Sequence, residues 1–457
     1  MNKKLILFSI FSVLIFLGIF LRFYNLRSNI QFDYDQENSL AFPAKSILID
    51  RHLTLIGPKT GVGDLYLGPL YYYLVAIFYG IFHMDPIAGV LLGGTLTILF
   101  ILLSFILIKK IFNLNIAYIY TLTYASSSFL VDKDRTPWNP NLFPLSSILV
   151  FFGLWMALYN NKKYGWIAIA LGLIIGMNSH FSVIFLLAVV LILSVLNKSI
   201  INKFSGFAFM LIFLSLFPLI IFNFKHDQLL TNNLLNFVYK SMITSGNNHI
   251  NILSLTLYLM ETIGRVLVTD VPSVVTQSAG IVYILTLIYY HKDPLISKFN
   301  KIFIIYLVVY ILGFTIYNGS IPNYYFMGFI IVALIGYSLI IGKVIQKFPL
   351  ILLLLFLQVS SNSIRSFYEV SRHLPGSLAD KQSIVKAIKK LSQNQPISID
   401  YNMNTGWSYG YKYLFYYYQI NIVENKLSKE KFMISFPQSQ LKVKSDYVFG
   451  DIALTQE

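Results

Sequence analysis

The sequence predicts an all-α polytopic membrane protein with a small α/β module at its C-terminal end. Three observations predict it. Of 457 residues, 56% are hydrophobic and only 12% charged, where soluble domains carry about a quarter charged residues. Apolar runs of near-spanning length recur almost from end to end. Basic residues collect in alternate connections between those runs. A soluble globular protein is thereby excluded, and the formal net charge of +15 needs no nucleic acid to explain it. The absence of cysteine rules out disulfides, thiol catalysis and cysteine-ligated metals.

Lys3 and Lys4 precede the run Leu5–Leu21, which has no small-x-small cleavage site and reads as a retained signal anchor with a cytoplasmic N-terminus. Ten more candidate spans follow: Ile87–Ile108, Ile116–Val131, Leu142–Tyr159, Tyr164–Met177, Phe181–Leu196, Phe204–Phe224, Val274–Tyr290, Ile302–Tyr317, Tyr325–Ile341 and Phe348–Val359. Pro69–Phe82 holds about two-thirds of the residues a straight crossing needs and reads as a half-inserted or surface-lying helix. With it left out, Lys109/Lys110, Lys162/Lys163, Lys198/Lys203, Lys292/Lys298/Lys301 and Lys343/Lys347 all share the side of Lys3/Lys4. Eleven of the twelve acidic residues before position 361 then fall on the opposite side, Asp293 being the exception.

This topology leaves three polar regions outside: the Arg22–Gly68 loop, the Lys225–Val271 loop and a tail from about Ser361. The expected division is a membrane domain over 1–360 and a tail domain over 361–457. In the tail, Ile384, Val385, Ile388 and Leu391 recur at helical spacing before Pro396-Ile397-Ser398-Ile399, hence the α/β expectation. Lys381, Lys386, Lys389 and Lys390 on that helix read as a solvated face.

No Asp, Glu, Lys or Arg lies inside an assigned span, which counts against an ion-coupled transporter. Gly61-Val62-Gly63 lacks the last glycine and the strand-to-helix setting of a dinucleotide loop, and reads as a turn. The cluster Asp33-Tyr34-Asp35-Gln36-Glu37 follows the first span closely enough to meet a lipid head group. A carboxylate there can act as a general base on a hydroxyl or help hold a divalent cation.

Asp35-Gln36-Glu37-Asn38-Ser39-Leu40-Ala41, Leu53-Thr54-Leu55-Ile56-Gly57-Pro58 and Gly68-Pro69-Leu70-Tyr71-Tyr72-Tyr73-Leu74 together resemble the first external loop of GT-C glycosyltransferases. The likeness is to glycosyltransferase family 39 and its bacterial relatives, the protein O-mannosyltransferase and aminoarabinose–lipid A transferase group. The resemblance implies a GT-C-like fold and a plasma-membrane enzyme. It would transfer a monosaccharide from a polyprenyl-phosphate carrier to a lipid, glycan or protein acceptor on the extracytoplasmic face. Asp35 matches the family's catalytic aspartate, while Gln36 stands where Glu is usual. Tyr71 falls in the Pro-Leu-Tyr motif, where Gly68 replaces the first proline and no lysine precedes it. Asp132-Lys133-Asp134-Arg135-Thr136-Pro137-Trp138-Asn139-Pro140-Asn141 matches the next external segment, with Asn139-Pro140 where relatives have Asp-Pro.

Single displacement at the anomeric carbon needs a base on the acceptor and stabilisation of the departing phosphate. Asp35 is the expected base, and transfer inverts the carbon. Arg135, His180, Tyr71, Tyr324 and Glu37 are the expected contacts to donor phosphate or substrate. Arg135 also reads as an interfacial anchor, His180 as a turn histidine and Tyr324 as part of an aromatic belt. A divalent cation (Mg, Mn or Zn) would draw on Asp35, Asp134 and Asn139. Two other readings stay open: a lipid-linked glycan polymerase or ligase using Lys225, His226, His249 and Arg265, and a flippase or transporter with a groove of Ser, Asn and Tyr.

Overall fold

A computed structural model describes residues 3–243, 251–268, 271–317, 319–424, 428, 430–437, 445 and 447–456. Among the described residues, six helices are long and apolar enough to cross a membrane: Ala88–Ile111, Asn139–Tyr159, Lys203–Lys225, Pro294–Ile316, Asn323–Lys347 and Ile351–Ser371. The run read as a signal anchor forms the helix Lys3–Leu21. Gly165–Met177, Val183–Leu196 and Ser273–Tyr289 are shorter apolar helices. The expected span Ile116–Val131 is instead two helices, Leu114–Ser126 and Ser128–Arg135. The break falls at Ser127, whose backbone is extended within a run of three serines, residues whose hydroxyls compete with helical hydrogen bonding. Pro69–Phe82 forms a short helix, Leu70–Ile81.

Two boundaries depart from expectation. The Lys225–Val271 region is not a loop, since it contains the helices Leu229–Ile243 and Ile252–Leu267. The second buries Leu255, Leu259, Ile263 and Val266, an i, i+4, i+8, i+11 stripe with Glu261 and Arg265 among the intervening residues. The last long helix runs to Ser371 rather than ending near Val359. Arg365 and Glu369, one turn apart, pair on its final stretch, so charged residues expected in the tail lie on that helix.

The lysine-rich turns gather at one end of the bundle. Lys110 lies over the rings of Phe152 and Tyr164, and Tyr159 donates to the Lys298 carbonyl at 2.8 Å. Lys343 pairs with Asp293 at 2.6 Å, and Lys347 lies over the Tyr290 ring. The first loop, the 132–141 segment, the 178–182 turn and the tail occupy the other end.

The tail is the expected α/β unit. Ser377 and Asp380 cap the helix Leu378–Leu391 reciprocally, a capping box that satisfies two N-terminal amides. Its apolar face, Ile384, Val385 and Ile388, is buried against a mixed sheet of order β1-β2-β4-β3. β1 (Ile397–Asn402) runs parallel to β2 (Glu430–Ser435). β4 (Ile452–Gln456) is antiparallel to both β2 and β3 (Tyr447–Phe449). The tail packs directly on the first loop: Gln31 bridges Ser377, and the amides of Leu374 and Leu378 donate to the carbonyls of Ser28 and Ile30.

Candidate active site

Two cavities meet at Asp35. The first, about 820 Å³, is walled by apolar side chains such as Phe181, Phe185, Leu234, Phe237, Phe314 and Ile316, with Lys59, Asn139, His180 and Tyr324 also on its lining. The second, about 720 Å³, is more polar and carries Asp33, Asp132, Arg135, Arg265, Arg365 and Glu369. Asp35, Pro137 and Trp138 line both. One carboxylate is thus placed between a greasy chamber and a charged one.

The turn that presents Asp35 is the single-turn helix Tyr34–Gln36, capped by Asp33 and running into a π-helical stretch, Glu37–Ala41. Gln36 is buried and accepts the Asp33 amide at 3.1 Å, so this residue closes the turn. Among the described residues no donor occupies the Asp35 carboxylate. Loss of water to the cavity walls, then the charge of Asp33, push its carboxyl above the usual range. An unpaired carboxylate with raised proton affinity is what a general base requires.

His180 also meets the first cavity. It sits in a turn whose neighbour, Asn178, accepts the Leu70 amide at 3.0 Å. Gly68 is required there, because a Cβ would collide with the Asn178 side chain. The His180 ring is surrounded by Phe143, Tyr324 and Tyr325, and burial pushes its pKa down to about 4. Its Nδ1 accepts the Ser182 amide at 3.2 Å. The neutral ring therefore carries its proton on Nε2, a donor free of charge. Tyr324 lies against Trp138 with ring centroids 4.4 Å apart. Asn139 lines the same cavity and donates to the Ser179 carbonyl at 2.6 Å, tying the 132–141 segment to the His180 turn.

Four expected residues have other surroundings. Glu37 is buried away from both cavities and accepts the Tyr413 amide at 2.7 Å. Tyr71 packs in the core and lines neither cavity. Arg135 reaches the second cavity, but its guanidinium donates to the carbonyls of Leu21 and Tyr24 and to Asn29, capping the signal-anchor helix as a C-terminal cation does. Asp134 is enclosed in the bundle, with Arg22 Nε at 2.8 Å and the Tyr124 hydroxyl at 2.9 Å. Asp35, Asp134 and Asn139 therefore do not form one ligand set, and no group of three acidic or histidine side chains suited to a metal is found among the described residues.

Of the residues in the polymerase reading, Arg265 reaches a cavity, paired with Glu261 at 2.7 Å. His226 is exposed and bonds the Phe222 carbonyl. His249 lies outside the described residues. Sequence reasoning passed over Lys59, Trp138 and Tyr325 on the first cavity. Each adjoins or lies in a motif it had singled out, and that adjacency was the available signal. It also misjudged Lys381, which is buried rather than solvated.

No family model matches the chain, and no curated protein matches it. Among solved structures, ArnT from Cupriavidus metallidurans bound to undecaprenyl phosphate superposes with a TM-score of 0.63 at 9% identity, over 97% of each chain. The apo structure of the same protein gives 0.57 at 10% identity, again over 97% of each. At such identity the likeness is one of fold. The chain has the GT-C architecture over nearly its whole length.

Proposed function

We propose that this protein is a membrane glycosyltransferase that moves a monosaccharide from a polyprenyl-phosphate carrier to an extracytoplasmic acceptor, with Asp35 as general base. The observation that carries the reading is the position of Asp35 where an apolar and a polar cavity meet. In the GT-C architecture, the apolar cavity suits an isoprenoid carrier, as undecaprenyl phosphate suits ArnT. The polar cavity suits the acceptor. By the positive-inside rule the lysine-rich end is cytoplasmic and the Asp35 end faces out.

Asp35 takes the proton of the acceptor hydroxyl as its oxygen bonds to the anomeric carbon. The bond from that carbon to the carrier phosphate breaks from the opposite face, so the configuration inverts. The phosphate leaves with the electron pair and needs positive or donor groups. Lys59 is the one lysine or arginine on the apolar cavity among the described residues; its exposed pairing with Asp64 at 2.6 Å is of the weak surface kind that a phosphate can displace, and it replaces Arg135 in that role. The Nε2–H of His180 is a neutral donor on the same wall, and the paired rings of Trp138 and Tyr324 offer the sugar an apolar face. No step is routed through a divalent cation.

The test is mass spectrometry of lipids retained by wild type and Asp35→Asn in mild detergent. A polyprenyl-phosphate monosaccharide enriched on the variant supports the reading and names the sugar by mass. A diphosphate-linked oligosaccharide on either protein would replace it with the polymerase or flippase reading.

A further inference from the structure

The tail helix sends Lys381 into the first loop. Its ammonium, almost fully buried, donates to the Phe32 carbonyl at 2.8 Å and to the Tyr409 carbonyl at 2.7 Å, with the Tyr411 ring 5.2 Å away. Phe32 is the residue before Asp33, which caps the Asp35 turn. The tail holds the same turn at two more points. Tyr409 meets the Tyr34 ring edge-on at 4.8 Å, and the Tyr413 amide binds Glu37 just downstream. Gly410, at φ +91°, has no room for a Cβ because the Phe32 carbonyl lies against it.

We infer that Lys381 is a positioning residue for Asp35: from the tail, it fixes the turn that presents Asp33 and Asp35. The turnover part of this inference rests on the proposed glycosyl transfer. The charged groups facing the ammonium are Asp33 and Glu37 of the first loop. On its own helix, Asp380 is turned toward His373 at 2.9 Å, with Gly450 of the β3–β4 turn against it. Gln382 is held by Arg27 at 2.9 Å. Burial lowers the Lys381 pKa to about 8, which leaves it charged at neutral pH. Asp33, raised by burial, is drawn back down by this same lysine.

The experiment compares Lys381→Met with wild type by two readouts on full-length protein in detergent. In hydrogen exchange, amides over 33–41 should exchange about tenfold faster in the variant while Ala88–Ile111 is unchanged. Equal protection of the turn would overturn the inference whatever the reaction is. In turnover, kcat should fall about 10- to 100-fold, the scale of a misplaced catalytic group, with little change in donor KM. Lys381→Arg, which keeps a cationic donor for the Phe32 and Tyr409 carbonyls, should recover much of the lost kcat. A donor KM that changes as much as kcat would make Lys381 a structural strut and also overturn it. Should Lys381→Met not fold, Gly410→Ala breaks the same clamp: faster exchange and lower kcat are expected, and wild-type values for both would refute the positioning role. Absence of any transfer by wild type would instead count against the proposed reaction and leave the exchange result standing.

Discussion

The 33–41 turn and the 128–142 segment each bring an aspartate to the same end of the bundle, and the two have opposite surroundings. Asp134 is enclosed, with Arg22 on one oxygen and Tyr124 on the other. Asp35 faces two cavities with no donor on it among the described residues. The difference is the presence of a buried cation. Arg22 leaves its own helix end to reach Asp134 and also binds the carbonyls of Gly18 and Ala125, so that pair fastens the signal anchor to the broken third span. A carboxylate with its partner already in place is a fastening; one left without a partner is available to a substrate.

The sharpest way to break this comparison is to substitute each aspartate's function in turn. Asp35→Asn should lower turnover about 10²- to 10⁴-fold, the usual contribution of a general base, while leaving insertion and thermal stability intact; near-normal turnover would end the assignment. Arg22→Ala leaves Asp134 buried without its cation, held by the Tyr124 hydroxyl, a change that costs about 3–5 kcal/mol. It should appear as a large loss of thermal stability in detergent, with donor affinity per folded molecule unchanged. Turnover should rise with pH through a value above the usual carboxylate range, because only the deprotonated base acts and its pKa is raised. Asp33→Asn removes the like charge, so that limb should move to lower pH; a limb that stays put would show that Asp33 does not sense Asp35. Lys59→Ala should raise donor KM several-fold with kcat less affected, as the loss of one exposed phosphate-binding charge would. Asn139→Ala should have the smallest effect, about two- to fivefold in turnover, from losing one hydrogen bond to the Ser179 carbonyl.

The long helices were legible because a run such as 88–111 has few other ways to satisfy its backbone in lipid. The tail helix was legible from Ile384, Val385 and Ile388 at helical spacing. Leu229–Ile243 was not, because Asn232, Asn233 and Asn236 interrupt its apolar residues and give it the composition of a loop. The cavity was legible at single positions, as at Asp35 and His180, which both line it. It was not legible where a partner decides: Asp134 answers to a residue 112 positions away, and Lys381 to one 349 positions away. A lysine on an amphipathic helix reads as solvated unless the carbonyls that receive it are known.

That last distance bears on how the protein matures. The ribosome makes every apolar helix through Ser371 before it makes Ser377, Lys381, Gly410 or Tyr413, the residues that close around the first loop. A chain interrupted after its last long helix therefore occupies the membrane with its spans complete and its Asp35 turn unfinished. The order of synthesis leaves the presentation of Asp35 to the final fifth of the polypeptide, once it has been delivered and folded onto the first loop.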